Sequence, residues 1–200
     1  MRQSSYGTSP ATLYAIGCFA MLLAVSAAAF EPSSREQRNT PPVLPSSGTI
    51  QVAFTPADDA GKLITDAIDR AQHQILVQTF SFTHRKIAEA LIAAKRRGVD
   101  VKVIADREQA EKIPTSLIAK MAAEGVPVYM DSSHVSAHNK VMVIDANSEN
   151  ATLVTGSFNF THAAQYRNAE NVLVIQGNPQ LAELYLKNWH DHYRHSRPYR

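Results

Sequence analysis

From Thr49 onward, short runs of β-branched and aromatic residues alternate with longer stretches of helical periodicity, which limits the chain to few architectures. "TIQVAF" reads as a strand. In "DDAGKLITDAIDRAQ", Leu63, Ile64, Ala67, Ile68 and Ala71 recur at helical spacing behind aspartates suited to cap a helix N-terminus. "QILVQTFSF" reads as a buried strand. "RKIAEALIAAKRRGVD" is an amphipathic helix whose last turn carries Lys95, Arg96 and Arg97 before Gly98, where cations meet the negative end of the helix dipole. "VDVKVIAD" is a strand, "SLIAKMAAEG" a helix closed by Gly125, and "VPVYMD" a further strand. Such alternation implies an α/β fold: a mixed, largely parallel sheet with right-handed crossovers and helices on both faces.

The last third breaks the rhythm. "KVMVID", "ATLVTGSFNF" and "ENVLVI" leave no room for a helix between the first two, so a hairpin across "ANSEN" is expected. "NPQLAELYLKNWHDHY" is a closing helix with Asn178 as its cap before Pro179.

The N-terminal region does not share this pattern. The N-terminal segment 1–29 is dominated by the uncharged apolar run "LYAIGCFAMLLAVSAAAF", which reaches Phe30 and carries the small residues Ala27, Ala28 and Ala29 near its end. It reads as a secretory signal peptide, or as a membrane anchor if uncut, and implies a periplasmic or secreted protein. Cys18, the single cysteine, lies inside this run, so a chain that has lost it forms no disulfide. Residues 30–48 mix Pro, Ser and charge without periodicity and read as a flexible linker. The folded domain is expected over 49–200. A formal charge of +2 is too small to argue for nucleic acid by itself, so the partner must be read from a site.

Two strand ends carry polar pairs at two-residue spacing. His138 and Lys140 open one apolar run, and Ser157 and Asn159, just after Gly156, close the next; "NAEN" adds Glu170 and Asn171. Side chains two apart on a strand share a face, and ligand sites of α/β sheets lie at strand ends. A neutral imidazole attacks phosphorus, an ammonium and an amide hold phosphate oxygens, and a carboxylate fixes the imidazole tautomer. Together these groups suit phosphodiester cleavage through a phosphohistidine. The plainer alternative for "HxK" alone is a backbone-bonded histidine beside a surface lysine.

The whole string "HNKVMVID" fits H-x-K-x-x-x-x-D, and "GSFNF" supplies G-S-x-N. With "LVQTFSFT", "AAKRRGVDVKVIAD" and "GSFNFTHAAQYRNAENVLVI", the domain resembles the phospholipase D superfamily, most closely its small bacterial endonucleases with a single such motif. The resemblance implies His138 as nucleophile, Lys140 and Asn159 as the phosphate clamp, Ser157 as a neighbouring hydrogen-bonding group and Glu170 as the partner orienting the histidine. Asp145 completes the motif, but alternation turns it away from Lys140, so its role is structural. The stretch from Asp145 to Gly156 is a few residues longer than the usual family spacing, which a hairpin tip tolerates.

A single motif supplies one histidine, whereas the reaction also needs a proton donor for the leaving oxygen. The resemblance therefore implies a homodimer that brings two copies of His138 to one phosphate, with a bell-shaped pH profile. No metal or other cofactor is required. His134 and His138 are four apart, but their segment does not read as a helix that would make them a metal pair. His190, His192 and His195, with Arg194, Arg197 and Arg200, read as a solvated helix face and tail, while Trp189, Tyr185 and Phe158 read as core or dimer-contact aromatics. The expected activity is hydrolysis of DNA, or RNA, phosphodiesters. Hydrolysis or transfer at phospholipid head groups and a catalytically idle nucleic-acid-binding module are the rival readings.

Overall fold

The computed structural model describes residues 41–200; the expected signal segment and most of the expected linker lie outside the described residues. Residues 41–47 carry no regular structure and are mostly exposed. Among the described residues, no helix is long and apolar enough to cross a membrane.

Eight strands and six helices follow in the order β1 (Thr49–Thr55), α1 (Ala60–Arg70), β2 (Gln74–Thr79), α2 (Arg85–Arg96), β3 (Asp100–Asp106), α3 (Arg107–Lys112), α4 (Ile118–Ala123), β4 (Val128–Asp131), β5 (Lys140–Ile144), β6 (Thr152–Gly156), α5 (His162–Tyr166), β7 (Glu170–Gln176), α6 (Pro179–His195) and β8 (Arg197–Pro198). The strands form one sheet in the order β1-β7-β6-β5-β2-β3-β4-β8. It is a mixed α/β sheet, but the parallel part is smaller than expected. Only β2–β3 and β3–β4 pair in parallel, each joined by a helical crossover, and the other five pairings are antiparallel. Parallel neighbours need long crossovers, and only the segments holding α2 and α3–α4 supply them. The β5–β6 hairpin forms as expected, with Met142 opposite Val154.

Alternation along the strands divides the core between two faces. One face packs Ile75, Val77, Met142, Ile144, Val154 and Val172 against Ile64 and Ile68 of α1 and Ile87 and Leu91 of α2. The other packs Leu76, Ile104, Val141, Val143 and Leu153 against Ala182 and Trp189 of α6. Burying each of these large aliphatic side chains stabilises by about 1.5–3 kcal/mol before entropy is counted. The Trp189 indole also donates to the Val77 carbonyl at 3.0 Å, which fixes α6 over β2.

The long helices begin at side-chain caps. Asp59 accepts from the amide of Lys62, and Asn178 accepts from that of Leu181, with Pro179 beginning α6. α2 is capped less usually, by the imidazole of buried His84, whose Nδ1 accepts from the Ile87 amide. Three short elements escaped the sequence pattern. α3 and α5 are too short for apolar periodicity, though Asp106 and Thr161 cap them, and β8 adds two residues of the supposed tail to the edge of β4.

Candidate active site

The polar pairs gather at one end of the sheet. Lys140 begins β5 opposite Thr79, the last residue of β2, while Gly156 ends β6 and Glu170 begins β7. The site thus lies at the C-terminal end of β2, β3 and β4, where α/β sheets place their ligands. Lys140 shares its sheet face with Met142 and Ile144, so the ammonium rises from the α1–α2 side of the core.

The turn after β6 explains the spacing of "GSFNF". The amides of Ser157 and Phe158 both donate to the Asn171 carbonyl, at 3.1 and 3.3 Å, which bends the chain off the ladder. Phe158 and Phe160 then enter the core at 1% exposure each, leaving Ser157 and Asn159 at the alternate positions. A Cβ at Gly156 would lie 2.2 Å from the Asn171 carbonyl oxygen, so this approach of β6 to β7 requires glycine. The Ser157 hydroxyl donates to Glu170 Oε2 at 2.6 Å and accepts from the Asn171 amide at 3.1 Å, while Asn168 Nδ2 donates to Glu170 Oε1 at 3.0 Å. Asn159 Oδ1 is buried with no hydrogen-bond partner.

Phe80 is the platform of the site. The exposed His138 ring rests on it with centroids 4.4 Å apart, and Lys140 Nζ stands 5.0 Å from the same ring, within cation–π range. Lys140 Nζ also donates to the His138 carbonyl at 2.6 Å, tying the two motif residues together. Burial pulls the Lys140 pKa down to about 8, against the opposing charge of Glu170.

One expected contact is not made within the chain. Glu170 does not hydrogen-bond the His138 ring: its two oxygens accept from Ser157 and Asn168, and Phe80 supports the imidazole. Asp145 lies at the other end of β5 at φ 49°, and its carboxylate accepts from the amides of Gln72, His73 and Gln74, each at 2.8 Å. It secures the turn between α1 and β2, far from Lys140.

Residues 64–192 match the family profile described as "Cardiolipin synthase, PLD-like domain". The chain belongs to this phospholipase D-like family. A phospholipase D from Rickettsia felis is 39% identical over 140 residues, covering 70% of this chain and 67% of the relative. A mitochondrial cardiolipin hydrolase from Xenopus laevis is 35% identical over 104 residues, covering 52% and 47%. The solved structure of Nuc, a phospholipase D family member from Salmonella typhimurium, superposes with a TM-score of 0.72 at 40% identity, covering 77% of this chain and 99% of that one. Membership in the phospholipase D-like family places the chain among hydrolases of phosphodiesters.

Sequence reasoning missed two groups that touch the candidate site residues, Phe80 and Asn168. Phe80 was visible only as an aromatic at the end of an apolar run, and Asn168 as one letter of "NAEN". It also misread the far histidines. His192 and His195 are not a solvated face: with His134 they converge on Asp131, a carboxylate with no exposed surface, while His190 does stand exposed. The three-residue spacing of His192 and His195, which puts both on one side of a helix, was the available signal.

Proposed function

We propose that the chain is an endonuclease that hydrolyses DNA or RNA phosphodiesters through a covalent phosphohistidine at His138. The observation that carries this reading is the exposed His138 imidazole held over Phe80, tied through its own carbonyl to an ammonium suited to a phosphate oxygen. His138 attacks phosphorus while Lys140 and Asn159 hold the non-bridging oxygens, where charge develops. Glu170 positions Ser157 and offsets the burial of Lys140. Water then releases the phosphoryl group from the imidazole. This reaction needs no metal.

The leaving oxygen takes its proton from His138 of the partner subunit in a homodimer. An apolar strip supports this arrangement: Ile50, Val52 and Phe54 on edge strand β1 are 58%, 50% and 58% exposed, and Phe54 pairs with Asn171 beside Glu170. The coupled histidines would give the bell-shaped profile.

A nucleic-acid substrate is favoured by an open groove of about 650 Å³ at the same end of the sheet, lined by Arg85, His162 and Arg167 with Thr83 and Ser116. Cations along a groove suit a continuous phosphate backbone. The phospholipid reading rests on the relatives named phospholipase D and cardiolipin hydrolase. Purified protein is incubated with plasmid DNA in EDTA and, separately, with phosphatidylcholine and cardiolipin vesicles, and its solution mass is measured. Nicking by a dimer is expected. Lipid turnover without nicking overturns the substrate, and a fully active monomer overturns the shared site.

A further inference from the structure

Asp131 ends β4 with its side chain wholly buried, and three imidazoles meet it. His192 Nδ1 lies 2.8 Å from Asp131 Oδ2, and His134 Nδ1 and His195 Nε2 each lie 3.1 Å from the same oxygen. The rings pack on one another, with His134 stacked on His192 at 4.8 Å between centroids. All four donor atoms fall within 4.8 Å of one another.

Hydrogen bonding alone accounts poorly for this arrangement. A carboxylate oxygen offers about two lone-pair directions, yet three ring nitrogens crowd Oδ2, of which only His134 Nδ1 also reaches Oδ1, at 3.3 Å. Neutral rings with the proton on each facing nitrogen would place three N–H donors on one oxygen, and fully protonated rings would crowd three cations around a single buried anion. With the rings neutral and those nitrogens unprotonated, three lone pairs and a carboxylate face one point. A tetrahedral ion with bonds of about 2.0–2.2 Å needs donor separations of about 3.3–3.6 Å. The contacts of 2.8–3.1 Å to Asp131 reach that by opening a few tenths of an ångström, and the widest separation in the cluster, up to 4.8 Å, reaches it by closing about 1 Å, within the swing of surface imidazoles.

We propose that Asp131, His134, His192 and His195 form a structural site for one divalent ion of the zinc class. Three imidazoles and one carboxylate suit zinc and its transition-metal neighbours rather than calcium or magnesium, which take oxygen cages. Four protein ligands close the coordination shell, so the ion is a fastener and leaves no position for substrate. The ligating carboxylate is itself held from behind, since Asp131 Oδ1 accepts the Ser133 amide at 2.9 Å. The ligands join the last turn of α6 to residues 132–139, the loop that carries His138, and Asp106 holds the same loop by accepting the Ala137 amide at 2.9 Å. The ion thus fixes the nucleophile's loop to the closing helix. The inference stands on this cluster and is independent of the substrate.

The untagged chain, stripped with a chelator and dialysed, is titrated with zinc against a chromophoric chelator, then with cobalt under visible absorption. One zinc per chain, the intense band of tetrahedral cobalt and a zinc-dependent rise in melting temperature are expected. His134 and His195 keep 46% and 34% of their side-chain surface exposed, so alanine at either is compatible with folding. His134→Ala and His195→Ala should each weaken zinc binding by at least about 100-fold, and His190→Ala, on the same helix outside the cluster, should not. Absence of zinc binding at micromolar metal overturns the proposal, as does binding that both cluster variants leave intact.

Discussion

His134 and His138 sit four residues apart on one loop under opposite conditions. His134 is drawn into a cluster whose carboxylate has no exposed surface, whereas His138 lies open on Phe80 with no hydrogen bond to its ring among the described residues. The loop holds its first histidine by the ring and its last by the backbone alone, through the Lys140 contact to the His138 carbonyl. A nucleophile needs its lone pair unspent, and a loop that presents one needs fixing elsewhere; residues 132–139 separate the two demands. In the proposed reaction the same residue type would serve rigidity and reactivity within one loop.

Replacing the free histidine should give the largest effect. His138→Ala is expected to lower phosphodiester cleavage by at least about 10³-fold, while its unfolding free energy stays within about 0.5 kcal/mol of the parent, as for other exposed positions. Activity assays beside urea unfolding measure both; a large stability loss would show that His138 is also an anchor.

Asp131→Asn reverses the pattern. Removing the charge that three imidazoles share should cost about 1–3 kcal/mol of stability, read from the urea midpoint, and reduce activity only as far as the loop loosens.

A smaller effect concerns the charge beside His138. Burial holds Lys140 near 8, so its ammonium is present below that pH and lost as pH rises through it. Competitive inhibition by a dialkyl phosphate, whose own charge is constant, should weaken across that interval, and Lys140→Arg should remove the step. An inhibition constant that stays level from neutral to alkaline pH in the parent would take Lys140 out of the phosphate clamp.

The smallest lies outside the loop. Burial lowers the pKa of His84 from 6.5, so the unfolded chain takes up its proton first as pH falls. Its contribution to stability is present above 6.5 and lost on the acid side, because the protonated ring no longer caps α2. His84→Asn, which keeps a capping oxygen, should flatten the acid decline in melting temperature.

The sequence made some of this arrangement visible and concealed the rest. The central strands were legible because β-branched runs have few other uses, and α6 because Asn178 and Pro179 announce it. The polar pairs showed themselves as exceptions to an apolar pattern. The histidine cluster did not, because Asp131 and His192 are separated by sixty-one positions and meet only through the packing of α6 against the sheet. His84 was hidden for a related reason: imidazole is an uncommon cap, and only burial shows that it acts as one. The balance of parallel and antiparallel pairs was equally beyond reading, since it depends on which strands become neighbours.

The Asp145 carboxylate, gripping three successive amides at the distal end of β5, pins the register of that strand before the chain enters the hairpin. Whatever length or composition the following tip acquires, the disturbance stops at this knot and does not slide Lys140 along the sheet. The tip is accordingly the place to graft a fluorophore or a purification handle while leaving the reactive end in place.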